Sequence, residues 1–98
     1  MKLIGVKPKD DYIVRIYLDD NSVIDFDVKA ELERISSYKS LYDTELFKAV
    51  KFTNKRIYWN DKCDFHLDQI LERGCFVKVD VKERAAVSKL AHTTNGIM

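Results

Sequence analysis

The stretch YIVRIYLDDNSVIDFDV, residues 12–28, decides the fold class. Its first seven residues alternate, with Tyr12, Val14, Ile16 and Leu18 on one side and Ile13, Arg15 and Tyr17 on the other. Period-two alternation of β-branched and aromatic residues marks a half-buried strand. Residues 23–28 repeat it, with Ile24, Phe26 and Val28 against Asp25 and Asp27. The short connection makes the pair an antiparallel hairpin. A two-residue turn at Asp20-Asn21 would set Ile16 opposite Asp25 and mix the faces. A three-residue loop, Asp20-Asn21-Ser22, sets Leu18 opposite Ile24, Ile16 opposite Phe26 and Val14 opposite Val28. Only the second keeps the apolar set together, because a slip of one residue flips every side chain. Asn21 suits the left-handed position that such loops require.

A second hairpin follows from the same test. Residues 50–53 and 56–59 flank Asn54-Lys55, so Phe52 faces Ile57, Val50 faces Trp59, Lys51 meets Tyr58 and Thr53 meets Arg56. This parity groups Trp59 with Ile57 and Phe52 in the core. Before the first hairpin, Leu3 to Lys7 reads as a short strand stopped by Pro8. Residues 29–35 and 43–50 have helical propensity, the second capped by Asp43 or Thr44 with Leu46, Phe47 and Val50 inward. Leu67, Ile70 and Leu71 carry a further helix that ends at Gly74, a common residue just past a helix end. Residues 76–81 predict a strand with Phe76, Lys78 and Asp80 against Val77, Val79 and Val81. A last helix over 82–92 presents Ala86, Val87, Leu90 and Ala91, and residues 93–98 form a tail.

At 98 residues the chain is expected to be a single domain, residues 1–98. With 46% hydrophobic and 34% charged residues it is globular in composition. The net charge of +1 supplies no overall field toward nucleic acid or an anionic membrane. Two cysteines without a secretion signal predict reduced thiols, and no run approaches the roughly 18 apolar residues of a membrane span. A cytoplasmic protein is the expectation.

Few residues carry recognisable chemistry. Cys63 and His66 form C-x-x-H, with Cys75 and His92 downstream, so four zinc-type ligands exist. Their later spacings, 8 and 16 intervening residues, do not match paired tight turns. Cys63 and Cys75 read better as small buried apolar residues and His66 as a helix-entry residue. A Cys–His nucleophile pair is disfavoured by Asp64, which would raise the thiol pKa. No glycine-rich turn cradles phosphate. The expectation is therefore no enzyme, no cofactor, no metal and no small-molecule substrate. The best basic-aromatic patch is the outer face of the second hairpin, Lys51, Lys55, Arg56 and Tyr58.

Taken in order, VKPKDDYIVRIYLDDNSVIDFDV, LYDTELFKAVKF, IYW, then CDF and an aspartate resemble the bacterial family numbered 2442 among domains of unknown function. The similarity covers about residues 4–72, leaving residues 75–98 as a C-terminal addition. Departures are Asn21 where the family has Gly, the stretch Trp59-Asn60-Asp61-Lys62-Cys63-Asp64 in place of W-P-N-G-x-D, and Leu67 in place of Pro. The resemblance implies a small α+β domain, often partnered with another small protein as in toxin–antitoxin pairs. Trp59, Asp64 and Asp68 are then positions of a fold signature.

These readings converge on an α+β fold, a small antiparallel sheet made of two hairpins plus edge strands, with two or three helices on one face. The expected function is a non-enzymatic interaction or regulatory module, antitoxin-like, binding another protein or a second copy as a homodimer. Val77, Val79, Val81, Val87 and Leu90 would make that contact. The alternatives are a nucleic-acid-associated transcriptional regulator using Lys51, Lys55, Arg56 and Tyr58, although nucleic acid is the less expected partner, or a small inhibitor encoded by a mobile element.

Overall fold

The computed structural model of the chain describes residues 1–80, 82 and 83. Among them, two antiparallel sheets and three α-helices form an α+β fold. One sheet has the order β1-β2-β3-β7, with β1 Leu3–Lys9, β2 Ile13–Leu18, β3 Val23–Asp27 and β7 Cys75–Val77. The other has the order β4-β5-β6, with β4 Lys51–Phe52, β5 Arg56–Asn60 and β6 Cys63–His66. The helices are α1 Val28–Arg34, α2 Thr44–Lys48 and α3 Leu67–Arg73, and short 3-10 turns cover Asp10–Tyr12 and Ser36–Tyr42. The two hairpins thus belong to separate sheets rather than one. Among the described residues one backbone hydrogen bond joins the first sheet to the second hairpin, from Leu3 N–H of β1 to the Asn54 carbonyl, 3.0 Å.

The first hairpin keeps the expected faces, yet its register is displaced by two residues. Ile16 pairs with Ile24 and Val14 with Phe26. The loop is Asp19-Asp20-Asn21, closed by Leu18 N–H to the Ser22 carbonyl at 3.0 Å and Asn21 N–H to the Leu18 carbonyl at 3.2 Å. Asn21 takes the left-handed conformation, φ 72°. Asp20 accepts from Ser22 N–H at 2.9 Å, which stabilises the loop one residue earlier than expected. A shift of two preserves alternation, so hydrophobic pattern alone could not distinguish the registers. Val28 is consequently freed from the strand and opens α1, fully buried, with Asp27 as the cap accepting from Ala30 N–H.

Pro8 does not stop β1, which runs to Lys9 with Pro8 opposite Val14. An edge strand tolerates the missing donor. Tyr12, expected in β2, instead sits in the preceding turn at φ 61° and donates its hydroxyl to the Tyr42 carbonyl at 2.6 Å. In the second hairpin Lys51 pairs with Tyr58 and Phe52 with Ile57, as expected. Strand β4 is only two residues long, so the Val50–Trp59 pair does not form. Phe52 is 40% exposed and so lies outside the core expected for it, whereas its partner Ile57 is fully buried.

Both sheets supply one core. Val14, Ile16, Ile24 and Phe26 meet Ile57, Trp59 and Phe65, with Leu32 from α1, Phe47 from α2 and Ile70 from α3. Trp59 explains its own position: it stacks on Phe47 with centroids 6.0 Å apart, and its indole N–H donates to the Phe47 carbonyl at 2.8 Å. Phe65 bridges the sheets, edge-on to Phe26 at 5.0 Å and to Trp59 at 6.1 Å. A buried indole with its donor satisfied contributes its full apolar area without a polar penalty. The neighbouring cysteine, aspartate and histidine therefore flank a core residue.

Candidate functional site

Strand pairing arranges the outer face of the four-stranded sheet in rows. Lys7, Arg15, Asp25 and Cys75 are successive partners across the strands. Gly5, Tyr17, Val23 and Val77 form the adjacent row. Opposed residues share a face, so a charged strip lies beside an apolar one. The alternation of residues 12–28 puts this face opposite the buried apolar set. Yet Tyr17 and Val23 are each only 3% exposed.

Tyr17 is covered at its polar end by Glu83, six residues beyond β7. The Tyr17 hydroxyl donates to Glu83 Oε2 at 2.7 Å, and Arg15 Nη1 donates to the same oxygen at 3.2 Å. Arg15 also grips Asp25 through two bonds, Nε to Oδ1 at 2.8 Å and Nη2 to Oδ2 at 3.0 Å. That fork-to-fork pairing holds the guanidinium flat on the sheet. The Asp25 hydrogen bond, opposed by burial and reinforced by Glu83, raises the Arg15 pKa. Burial first, then the bond to Glu83, pushes the Tyr17 phenol up. The Tyr17 hydroxyl, with Arg15 adding to it, holds the Glu83 carboxyl below its ordinary range. Each of these shifts moves a pKa further from 7, whereas acid–base catalysis near pH 7 favours groups poised close to it. Arg15, Asp25, Tyr17 and Glu83 hold one another through these bonds. Neither Tyr17 nor Glu83 stood out in the sequence, because 66 residues separate them and no local pattern signals the contact.

The sheet edges differ in their cover. At β6, the Tyr38 hydroxyl donates to the Asp64 carbonyl at 3.0 Å and accepts from Asp64 N–H at 3.4 Å, standing in for a strand. Strand β1 carries Pro8 and is tied to the second hairpin through Leu3. Strand β7 pairs with β3 on one side, and among the described residues no strand lies beyond it. Phe76, opposite Ile24, is 60% exposed there. An open groove beside this edge is lined by Asn21, Ser22, Val23, Phe76, Val77 and Val79 among others.

The expected contact residues distribute as follows. Val77 lies in β7 on the outer face, and Val79 is partly buried just after it. The strand expected over 76–81 is shorter, Cys75–Val77, and is taken up by its own sheet. Val81, Val87 and Leu90 lie outside the described residues, as does most of the helix expected over 82–92. On the second hairpin, Lys51 and Lys55 are exposed. Arg56 is already engaged, 3.3 Å from Asp64 and with its guanidinium 4.5 Å over the Tyr58 ring.

Cys63 is buried as expected, but Cys75 is exposed, because its side chain falls on the outer face at the sheet edge. His66 is the residue at which α3 begins, its N–H donating to Gln69 Oε1 at 3.0 Å. Among the described residues no group of three or more His, Cys, Asp or Glu is gathered around a possible metal position, and His92 lies outside them. No helix among the described residues is long and apolar enough to cross a membrane. Comparison with family models, with curated proteins and with solved structures gives no match for this chain.

Proposed function

We propose that this chain is a non-enzymatic protein-interaction module that receives a partner strand along the outer edge of β7. The observation that carries this reading is Phe76, a large apolar side chain 60% exposed on an edge strand. Edge strands in self-contained domains are ordinarily short, charged or covered, and one that offers an aromatic residue suits strand addition. Strand β7 is short, but its exposed aromatic and the adjoining groove supply side-chain contacts beyond the backbone ladder. The resemblance of residues 4–72 to the bacterial domain family of unknown function agrees with a paired, antitoxin-like role. Arg56 is drawn into contacts with Asp64 and Tyr58, which weakens the nucleic-acid alternative on the second hairpin.

Sedimentation equilibrium tests the proposal on the full chain, alone and co-expressed with the product of the adjacent gene. The expected result is a stoichiometric complex, with a second copy or with that product, that Phe76→Lys abolishes while Trp59 emission stays native. A complex that survives Phe76→Lys, or a chain that stays monomeric with both, refutes it.

A further inference from the structure

Beyond that reading, and independent of it, the contacts of Glu83 define a second device. We propose that the segment after β7, described over residues 78–80, 82 and 83, is a strap held closed on the outer sheet face by the Glu83 carboxylate, and that neutralising or screening this charge opens it. The strap leaves the sheet after Val77 and has no strand pairing of its own over residues 78–80. Among the described residues its hold on the sheet is concentrated at one side chain. Glu83 meets Tyr17 at 2.7 Å and Arg15 at 3.2 Å, across 66 and 68 residues of sequence. The strap is shaped to deliver that side chain, since Asp80 Oδ1 accepts from Glu83 N–H at 2.7 Å.

The receiving face is built before the strap arrives. Asp25 fixes the Arg15 fork by two bonds, leaving Nη1 directed at Glu83. Gly5 stands beside Tyr17 in its row, so no neighbouring side chain on β1 crowds the ring. The charged groups around Glu83 are Lys7 on β1, Arg15 and Tyr17 on β2, Asp25 on β3 and Asp80 on the strap itself. Arg15 is shared between Asp25 and Glu83, and only the Glu83 arm belongs to a segment without its own strand pairing. Segments of this kind open locally at far lower cost than the whole domain. A carboxylate with charge-assisted bonds is the strong element in such a closure, and it weakens with salt.

Trypsin reads the strap directly, because Lys78 lies at its start and cleavage there requires several residues on each side to leave the sheet. The full chain is compared with Glu83→Gln and Tyr17→Phe, with cleavage after Lys55 in the β4–β5 turn as the internal reference. Position 83 is too far from Lys78 to alter intrinsic cleavage there. The expected result is an increase of about tenfold after Lys78 in Glu83→Gln, from loss of its charge-assisted bonds. Tyr17→Phe, which keeps the Arg15 bond, should give a smaller increase, and neither should change Lys55. Raising salt from ~0.05 to ~1 M should speed cleavage after Lys78 relative to Lys55 in the unsubstituted chain. Unchanged Lys78 rates overturn the proposal. So does a rise at Lys55 of equal size with loss of native Trp59 emission, which would make Glu83 part of the global fold.

Discussion

Gly74 shows how a residue can be placed correctly for the wrong reason. Its position after α3 suggests a left-handed helix terminus, yet its φ is −79°, open to any residue. Space is what excludes a side chain: a Cβ would stand 2.3 Å from Ile24 Cγ2 and 2.7 Å from the Ile70 carbonyl oxygen. One of those neighbours is backbone and the other a fully buried side chain, so neither yields easily. Gly74→Ala should therefore destabilise by about 1–3 kcal/mol, the usual cost of overpacking. A urea midpoint shift with unchanged m-value would measure it; an unchanged midpoint would show that β7 slides freely on β3. Asn21 is the opposite case. Its φ of 72° is what the loop chemistry demands, and the residue type announces it.

At the scale of elements, one buried carboxylate joins two helices. Glu31 of α1 is 5% exposed and bonds Arg34 at 2.6 Å and Arg73 of α3 at 3.1 Å. Removing both arginines leaves that charge unpaired, whereas replacing Glu31 with leucine removes the charge and keeps the volume. The Arg34→Ala/Arg73→Ala double variant should lose about 2 kcal/mol, less than a fully buried pair because both arginines are substantially exposed. Glu31→Leu should cost less than that double variant. Thermal unfolding of the three proteins decides it; a Glu31→Leu loss larger than the double variant's would mean the carboxylate does more than tie the helices. The capping aspartates, by contrast, act locally. Asp27 and Asp43 each accept from a nearby helix N–H; the Asp43 cap is evident in the sequence, whereas Asp27 reads there as a strand residue beside Val28.

For the whole molecule, the outer-face cluster predicts stability losses at both ends of the pH scale. The Glu83 pKa lies below its ordinary 4.5 in the folded chain, so its contribution is complete above that value and lost as pH falls through the folded pKa. The Tyr17 pKa is raised above 10.0, so its contribution is complete below that value and lost as pH rises through the folded pKa. Urea midpoints measured against pH should show a shallower acid limb in Glu83→Gln and a shallower alkaline limb in Tyr17→Phe. Acid limbs that superimpose would remove Glu83 from the linkage. The same cluster marks the division between sequence and tertiary structure. Alternation in residues 12–28, the cap at Asp43, the Asn54-Lys55 turn and the inward parity of Trp59 follow from residues close along the chain, because strand and helix periods are local properties of the backbone. The displaced register, the separation of the hairpins into two sheets, the exposure of Phe52 and Phe76, and the contact from Glu83 to Tyr17 do not. Each depends on which distant surfaces meet once loops have closed, and a shift of two residues or a contact 66 residues away leaves the local pattern unchanged.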